Sequence, residues 1–321
     1  EDSDFSFNIN ANFVGKSIDD IDGTISVDSL TLNAPNDGSY FVDNITVKAN
    51  HNGKAKEILL SSPFMSGSIL GEFNYNSLPV SIITTLNKYI PSLVAESTSE
   101  APHNNFDFDF NIENGDFFSK ILFLPIELNK PAQVKGFFND DENRMRIEAS
   151  LPQFKYKNSQ YDSGVLRCEN NGKELLCNLY GSTLLNSGVM VNLSVNSSLK
   201  DDELKTTLNW GNNAVNTYGG KFSTVTSFSK SQNGNNINAE IRIEPTNVIL
   251  NDSIWNIRPS YISINDGDID INRFIFEHNN QHIIINGKLS NSSQDSCNIE
   301  MKNIDLRYLL DIVQFDDVKF S

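Results

Sequence analysis

Apolar and polar side chains alternate along most of this chain. The stretch FSFNINANF places Phe5, Phe7, Ile9, Ala11 and Phe13 on one side of an extended strand and polar residues on the other. A two-residue period predicts strands with one dry and one wet face, which is typical of antiparallel sheets. Turn signals such as HNG, NNGK and QNGNN recur at short spacing. The chain is therefore predicted to be mainly β, a meander of many strands.

Two segments break this period and predict short amphipathic helices. SLPVSIITTLNKYIPSL has Leu78, Ile82, Leu86 and Ile90 at four-residue steps, with Ser77 as a candidate cap. NIDLRYLLDIV repeats apolar residues at helical spacing over residues 306–313. A third, less regular helix candidate begins at residue 116 and is interrupted by a proline.

The polar stretch VAESTSEAPHNN is the clearest linker signal in the sequence. It predicts a boundary at residues 94–105. We therefore expect one β unit over residues 1–93 and a second over residues 106–321, each ending in a short helix.

Charge and hydropathy exclude some classes of partner. The chain has 25 basic and 41 acidic residues, a net charge of -16. A phosphate backbone would be repelled because the basic residues do not cluster, so no nucleic-acid partner is expected. No run of apolar residues approaches the ~18 needed to span a bilayer as a helix.

The cysteines Cys168 and Cys177 flank ENNGKE, which predicts a hairpin with Asn171 and Gly172 at its tip. In that two-residue register the cysteines are diagonal neighbours, about 7 Å or more apart at Cα. Such a distance disfavours a disulfide, so two free thiols are the preferred interpretation, and a thiol count would decide.

Motifs of enzymatic chemistry are missing from the sequence. The string GSILG has its serine one position too early for a nucleophile elbow, and no glycines gather as a phosphate cradle. Of the four histidines, His278 and His282 flank a turn and would supply only two of the four ligands of a structural zinc site. We predict no catalytic residue, no cofactor and no metal.

The stretch SINDGDIDINRF raises the question of a calcium loop. Asp266, Asp268 and Asp270 alternate with Gly267 and Ile269. An EF-hand loop needs its glycine after the third acidic position, and here Ile271 stands there. The preferred interpretation is the wet face of a strand whose dry face carries the isoleucines.

The order of elements in residues 251–313 is the most specific feature of the chain. A tryptophan precedes RPS, an alternating strand, a His-Asn-Asn-Gln turn, IIINGKLS and then NIDL at the start of a helix. This order resembles the bacterial TamB-like (translocation and assembly module) proteins of the AsmA-like, repeating β-groove group. The earlier stretches YIPSL, LPIELNKPAQVKGFFND and LNWGNNAVNTYGGKFSTVTSF are similar in style to the middle of such chains.

This resemblance implies a fold and a location. The fold would be a long, curved, mostly antiparallel sheet forming a β-groove, or taco-like shape, with a few short helices. The chain would be a periplasmic segment of an envelope protein anchored in the inner membrane of a Gram-negative bacterium. Members of the family are implicated in phospholipid transport, outer-membrane biogenesis and protein translocation and assembly. The outer-membrane barrel partner would be met by regions outside this segment.

The lipid-transport hypothesis needs only an apolar wall, because acyl chains offer no polar group to recognise. We expect phospholipid acyl chains to contact the dry faces of the clearest alternating strands. The predicted groove-lining residues are Ile262, Ile264, Ile269, Ile271, Phe274, Phe276, Ile283, Ile285, Val189, Val191, Leu193, Leu208 and Trp210.

Three other interpretations remain. The same residues could pack on one another as a β-sandwich core, which is the preferred interpretation without the resemblance. A chaperone-like platform could offer sheet edges to strands of outer-membrane barrels or secreted proteins by β-augmentation, and it predicts long uncovered edge strands. An enzyme acting on polysaccharide would need clustered carboxylates or histidines, which the sequence does not show.

Overall fold

The computed structural model describes residues 4–34, 38–92, 103–113, 115, 126–156, 159–185, 188–212, 217–231 and 237–304. These residues form 21 β-strands with antiparallel ladders, one short 3-10 helix and the α-helix α1 (Leu78–Asn87). The prediction of a mainly β, antiparallel fold is confirmed. The helix predicted over residues 306–313 and the candidate at residue 116 lie outside the described residues.

The chain divides into two compact units. The first comprises Glu1–Thr85, Ser97–Lys157 and Asp162–Gly172, and the second comprises Leu86–Glu96, Asn158–Tyr161 and Lys173–Ser321. The strands of the first unit are β1 (Asp4–Val14), β2 (Asp22–Ala34), β3 (Gly38–Asn52), β4 (Ala55–Ser61), β5 (Met65–Glu72), β6 (Asn105–Ile112), β7 (Ile126–Leu128), β8 (Ala132–Asn139) and β9 (Arg144–Tyr156).

Strand β10 (Ser159–Asn170) has residues in both units. The strands of the second unit are β11 (Leu175–Leu184), β12 (Met190–Lys200), β13 (Glu203–Gly211), β14 (Gly219–Lys230), β15 (Ile237–Ile243), β16 (Thr246–Leu250), β17 (Ser253–Ile257), β18 (Ser260–Asn265), β19 (Asp268–His278), β20 (Gln281–Leu289) and β21 (Cys297–Lys302).

The predicted division at residues 94–105 differs from this one. Strand β5 before that stretch pairs with β6 after it, from Met65 opposite Ile112 to Glu72 opposite Asn105. A ladder of eight residue pairs joins the two sides, so the strands before and after the polar stretch belong to one unit. Polar composition predicts a connection here but does not tell whether the connected strands pair.

Helix α1 begins directly after Ser77, as predicted, and Leu78 packs against a buried cluster, but the predicted apolar row is only partly buried. Ser81 and Thr85 are buried, whereas Ile82 and Ile83 are exposed. The reason is Asn104, whose side chain is fully buried and donates a hydrogen bond to Ser81 Oγ at 2.6 Å. A buried amide requires such partners, and this one selects the polar side of the helix.

The second unit is an antiparallel meander in which β15 and β16 act as two segments of one strand, and β17 and β18 as two segments of the next. Strand β14 pairs with both β15 and β16. In turn β15 pairs with β18 and β16 with β17, and both β17 and β18 pair with β19. Strands β11–β14 precede this block and β20 and β21 follow it, each pairing with its neighbour in sequence.

The interruptions of these strands lie side by side. Pro245 falls between β15 and β16, Pro259 falls between β17 and β18, and β19 has a register shift before Phe274, with Arg273 at φ 48°. Proline removes a ladder donor, and a bulge bends its strand and increases the local twist. Ser260 connects two of these points, since its hydroxyl donates to the carbonyl of Asn272 at 2.9 Å. The sheet of the second unit is therefore bent along a line across neighbouring strands.

The expectation of two free thiols at Cys168 and Cys177 is wrong. Both are disulfide-bonded, and Cys297 is a free cysteine. The predicted two-residue turn is in fact a four-residue connection, because β10 ends at Asn170 and β11 begins at Leu175. The register that placed the cysteines diagonally therefore does not apply.

Large aromatic rings lie over glycines of the adjacent strand. Trp210 is paired with Gly220, and a methyl group on Gly220 would lie 2.6 Å from Trp210 Cζ2 and 2.9 Å from Val248 Cγ1. In the first unit, Phe108 covers Gly136 in the same way, 2.7 Å from the position of a methyl group. These rings can lie against the sheet only because the residue beneath them has no side chain.

We predict that Gly220→Ala lowers the free energy of unfolding by about 1–3 kcal/mol, the usual cost of overpacking. The matched control is Gly211→Ala on the partner strand, where a methyl group would meet no atom within 4 Å. Urea unfolding followed by tryptophan fluorescence measures both. Equal stability of the two variants would contradict the packing of Trp210 on Gly220.

Candidate functional site

The candidate site is one face of the second unit's sheet. Residues directly opposite each other in an antiparallel ladder point to the same side. The ladders connect the predicted groove-lining residues across the unit: Leu193 faces Trp210, Leu208 faces Phe222, Ile262 faces Ile271, Ile264 faces Ile269, Phe274 faces Ile285 and Phe276 faces Ile283.

Further ladder pairs show that the residues of β12 and β13 lie on the same side as those of β18, β19 and β20. Trp210 faces Gly220, Gly220 faces Val248, and Val248 faces Trp255. Farther along, Ile257 faces Phe276. The structure therefore brings twelve of the thirteen predicted residues to one sheet face, and Val189 lies directly before β12. We call this the apolar face.

Part of the apolar face is packed on itself. Its buried cluster consists of Val191, Tyr218, Ile243, Val248, Leu250, Trp255 and Ile257. Trp255 is only 1% exposed and stacks on Phe276 with ring centroids 4.7 Å apart. Of the predicted residues, Val191 belongs to this cluster, and six pack against it: Val189, Leu193, Trp210, Ile262, Phe274 and Phe276. For these seven the alternative of a self-packed core describes what the structure shows.

The other six predicted residues are half-buried and lie outside the cluster: Ile264, Ile269, Ile271, Ile283, Ile285 and Leu208. Five of them adjoin one another on β18, β19 and β20, and Leu208 is separate on β13. Their neighbours on the same face are more exposed: Leu289 by 49%, Ile299 by 60% and Met301 by 54%.

These eight neighbouring residues form the open strip: Ile264, Ile269, Ile271, Ile283, Ile285, Leu289, Ile299 and Met301. The ladders show its continuity, since Ile269 faces Leu289, Ile285 faces Ile299 and Ile283 faces Met301. Sequence reasoning missed its last three members. The two-residue period of Cys297, Ile299 and Met301 could have identified β21 as a further alternating strand.

The opposite face of the same strands carries charged residues, together with one apolar pair, Ile275 and Ile284. Asp270 faces Lys288, whose ammonium group lies 2.9 Å from Asp268 and 3.3 Å from Asp295. Hydrogen bonds to these two carboxylates raise the pKa of Lys288, and a hydrogen bond from Ser290 lowers the pKa of Asp295. Asp268 therefore has an ammonium partner, as the wet-face interpretation predicts.

Asp266 also has an ordinary structural role. It occupies the turn between β18 and β19 at φ 51°, and its carboxylate accepts a hydrogen bond from Ser231 at 2.6 Å. Within the described part of the chain, the three aspartates do not converge as a set of metal ligands.

The histidines flanking the β19–β20 turn have separate partners. His278 Nδ1 lies 2.6 Å from the carbonyl oxygen of Ile254, and His282 Nε2 lies 2.9 Å from Glu300 Oε1. Each ring is held by a different strand, so these two histidines do not form the pair that a shared metal ion would need.

Comparison with known proteins identifies no relative of this chain. Searches with protein-family models, among curated proteins and among solved structures found no match. In the described part of the chain, no helix is long and apolar enough to cross a bilayer. The resemblance to TamB-like proteins is therefore an inference from the order of sequence elements.

We predict that the two tryptophans differ strongly in access to solvent. Trp210→Phe leaves Trp255, which is buried, and Trp255→Phe leaves Trp210, which is half-buried. Because acrylamide quenches on contact, we expect a Stern–Volmer constant several-fold smaller for the Trp210→Phe protein. Equal quenching in folded variants would contradict the self-packed part of the apolar face.

Proposed function

We propose that the second unit binds phospholipid acyl chains along the open strip, as a segment of a periplasmic, inner-membrane-anchored envelope protein that conducts phospholipid between the inner and outer membranes. The observation that carries the proposal is the composition of one sheet side. Eight neighbouring large apolar residues are half-buried or exposed there, while the other side of the same strands carries Asp268, Asp270 and Lys288.

The energetic argument is the burial of this strip. Removing apolar surface from water gains about 25 cal/mol per Å², or about 0.8 kcal/mol per buried CH₂. Contiguous exposed apolar patches on soluble proteins commonly mark binding sites. An acyl chain could bury such a strip without directional contacts, and Ile299, which is 60% exposed, would gain most from the contact.

The self-packed cluster supports a binding strip of limited length. Trp255 and Val248, which are 1% and 2% exposed, are already covered by protein side chains. We therefore place the lipid contact on β18–β21 and not on the whole predicted wall. Leu193 and Trp210 would support the sheet instead of touching ligand.

The direct test is native mass spectrometry of the purified protein. We expect copurified phospholipid in the wild-type protein and its loss in Ile299→Asp, because a carboxylate on the strip would have to lose its hydration to contact an acyl chain. The matched control is Asn298→Asp, which adds the same charge to the adjacent, exposed position on the opposite face.

Ile299 is largely exposed, so its substitution should leave the fold intact, which circular dichroism can verify. Lipid loss in both variants would show a general effect of charge. A wild-type protein that neither retains lipid nor takes it up from phospholipid vesicles would overturn the proposal.

A second candidate function is favoured by the sheet edges. In the described residues, β1 pairs only with β2, and β21 pairs only with β20. Strand β1 is 11 residues long, and its Phe7, Ile9 and Phe13 are each about half exposed, at 50%, 57% and 49%. A long apolar edge with free backbone groups suits β-augmentation. We propose, as the alternative, a chaperone-like platform for strands of outer-membrane barrel or secreted proteins.

Proline substitutions on β1 would test this alternative. Prolines placed one at a time at Ile9, Asn10, Ala11 and Asn12 remove amides that alternately face β2 and the open side. We expect the variants that lose an open-side amide to keep their thermal stability but to lose binding of a synthetic barrel-strand peptide. Binding that survives all four substitutions while Ile299→Asp abolishes it would assign the peptide to the open strip.

A further inference from the structure

We propose that His103, Asp140 and Asp141 in the first unit form a binding site for a divalent first-row transition-metal ion such as Zn²⁺. One ligand atom of each residue lies within 4.8 Å of the other two. The sequence does not suggest this site, because His103 is 37 positions from Asp140. This inference is independent of the lipid proposal.

The backbone sets this arrangement. The β6–β8 ladder ends with Asn105 opposite Asn139. It continues one step further, because Asp140 N donates to the carbonyl oxygen of Asn104 at 3.0 Å. The next step in the same register places His103 opposite Asp141, and their side chains are in contact through His103 Nδ1 and Asp141 Oδ1. The pairing therefore follows from strand register.

Asp140 is held in place by a buried neighbour. Its carboxylate accepts a hydrogen bond from the backbone N–H of Asn104 at 2.9 Å and another from the Asn104 side chain at 3.3 Å. Asn104 is itself 0% exposed and also bonds Ser81 in helix α1. Hydrogen-bonded partners of this kind orient metal-ligating carboxylates. A carboxylate has about four lone-pair positions, so Asp140 retains capacity for a metal ion.

The donor set indicates the class of ion. One imidazole nitrogen and two carboxylate oxygens suit Zn²⁺ and neighbouring transition metals, whereas Ca²⁺ and Mg²⁺ prefer oxygen ligands alone. Three protein ligands leave positions for water, which can reach the site because His103 and Asp141 have side chains 83% and 50% exposed. The nearby cation Arg144 is paired with Glu142 at 3.3 Å.

The first test is titration of the tag-free protein with Zn²⁺ by isothermal calorimetry, with Co²⁺ absorption as a second readout. We expect one ion to bind the wild-type protein, and His103→Ala and Asp141→Asn each to weaken that binding at least tenfold. His282→Ala is the matched control, because His282 also contacts a carboxylate, Glu300, at 2.9 Å. In the described residues that pair belongs to no three-ligand group.

Thermal unfolding separates loss of the ion from loss of the fold. Excess Zn²⁺ should raise Tm in the wild-type and His282→Ala proteins but not in His103→Ala, because binding to the native state alone stabilises it. The three proteins should unfold at similar temperatures in EDTA. No saturable Zn²⁺ binding, binding unchanged by His103→Ala, or equally tight binding of Ca²⁺ would each overturn the site.

Discussion

Single-sided burial is the constraint on which the second unit depends. Its ladders place Leu193, Trp210, Trp255, Phe276 and Ile285 on one sheet face, and the buried apolar cluster of the unit lies on that face. Such apolar surface gains free energy when neighbouring side chains or a bound ligand cover it. The structure covers the part around Trp255 with neighbouring side chains and leaves Ile299 and Met301 open.

Local backbone features decide which part is covered. The proline interruptions at Pro245 and Pro259 and the bulge at Arg273 bend neighbouring strands at one level. Gly220 lets Trp210 lie against the sheet, where it packs on the buried cluster. The buried cluster lies on the strands around these interruptions, whereas β20 and β21 carry apolar residues that are less covered. The apolar face therefore holds both the buried cluster and the exposed residues of the open strip.

The sequence predicts this face well because the side-chain period of a strand is two. Ile262 and Ile269 needed only alternation and a correct turn to be assigned to the same side, whereas Phe276 joins them because of the register shift between Ile271 and Phe274. Whether they are covered depends on contacts between strands distant in sequence, so alternation could not separate the packed Phe276 from the more open Ile283. The lipid role remains a proposal drawn from a resemblance and an accessible strip.

Other predictions failed where a few residues changed the geometry. A four-residue connection replaced the expected two-residue turn, and Cys168 and Cys177 are disulfide-bonded. The buried amide of Asn104 bonds the Ser81 side of helix α1, and Ile82 of the predicted apolar row is exposed. The contact of His103 with Asp141, on which no prediction was made, arises because β6 pairs with β8. Each outcome depends on register or on partners remote in sequence, which periodicity does not encode.

The most direct test of an open strip beside a self-packed cluster is methyl NMR of isoleucine-labelled protein, with a phospholipid that carries a spin label near the end of its acyl chain. We expect selective broadening of the Ile264, Ile269, Ile271, Ile283, Ile285 and Ile299 methyl signals, with Ile243 and Ile257 in the cluster unaffected. Uniform broadening, or broadening confined to other surfaces such as the exposed Ile254, would contradict lipid contact along this strip.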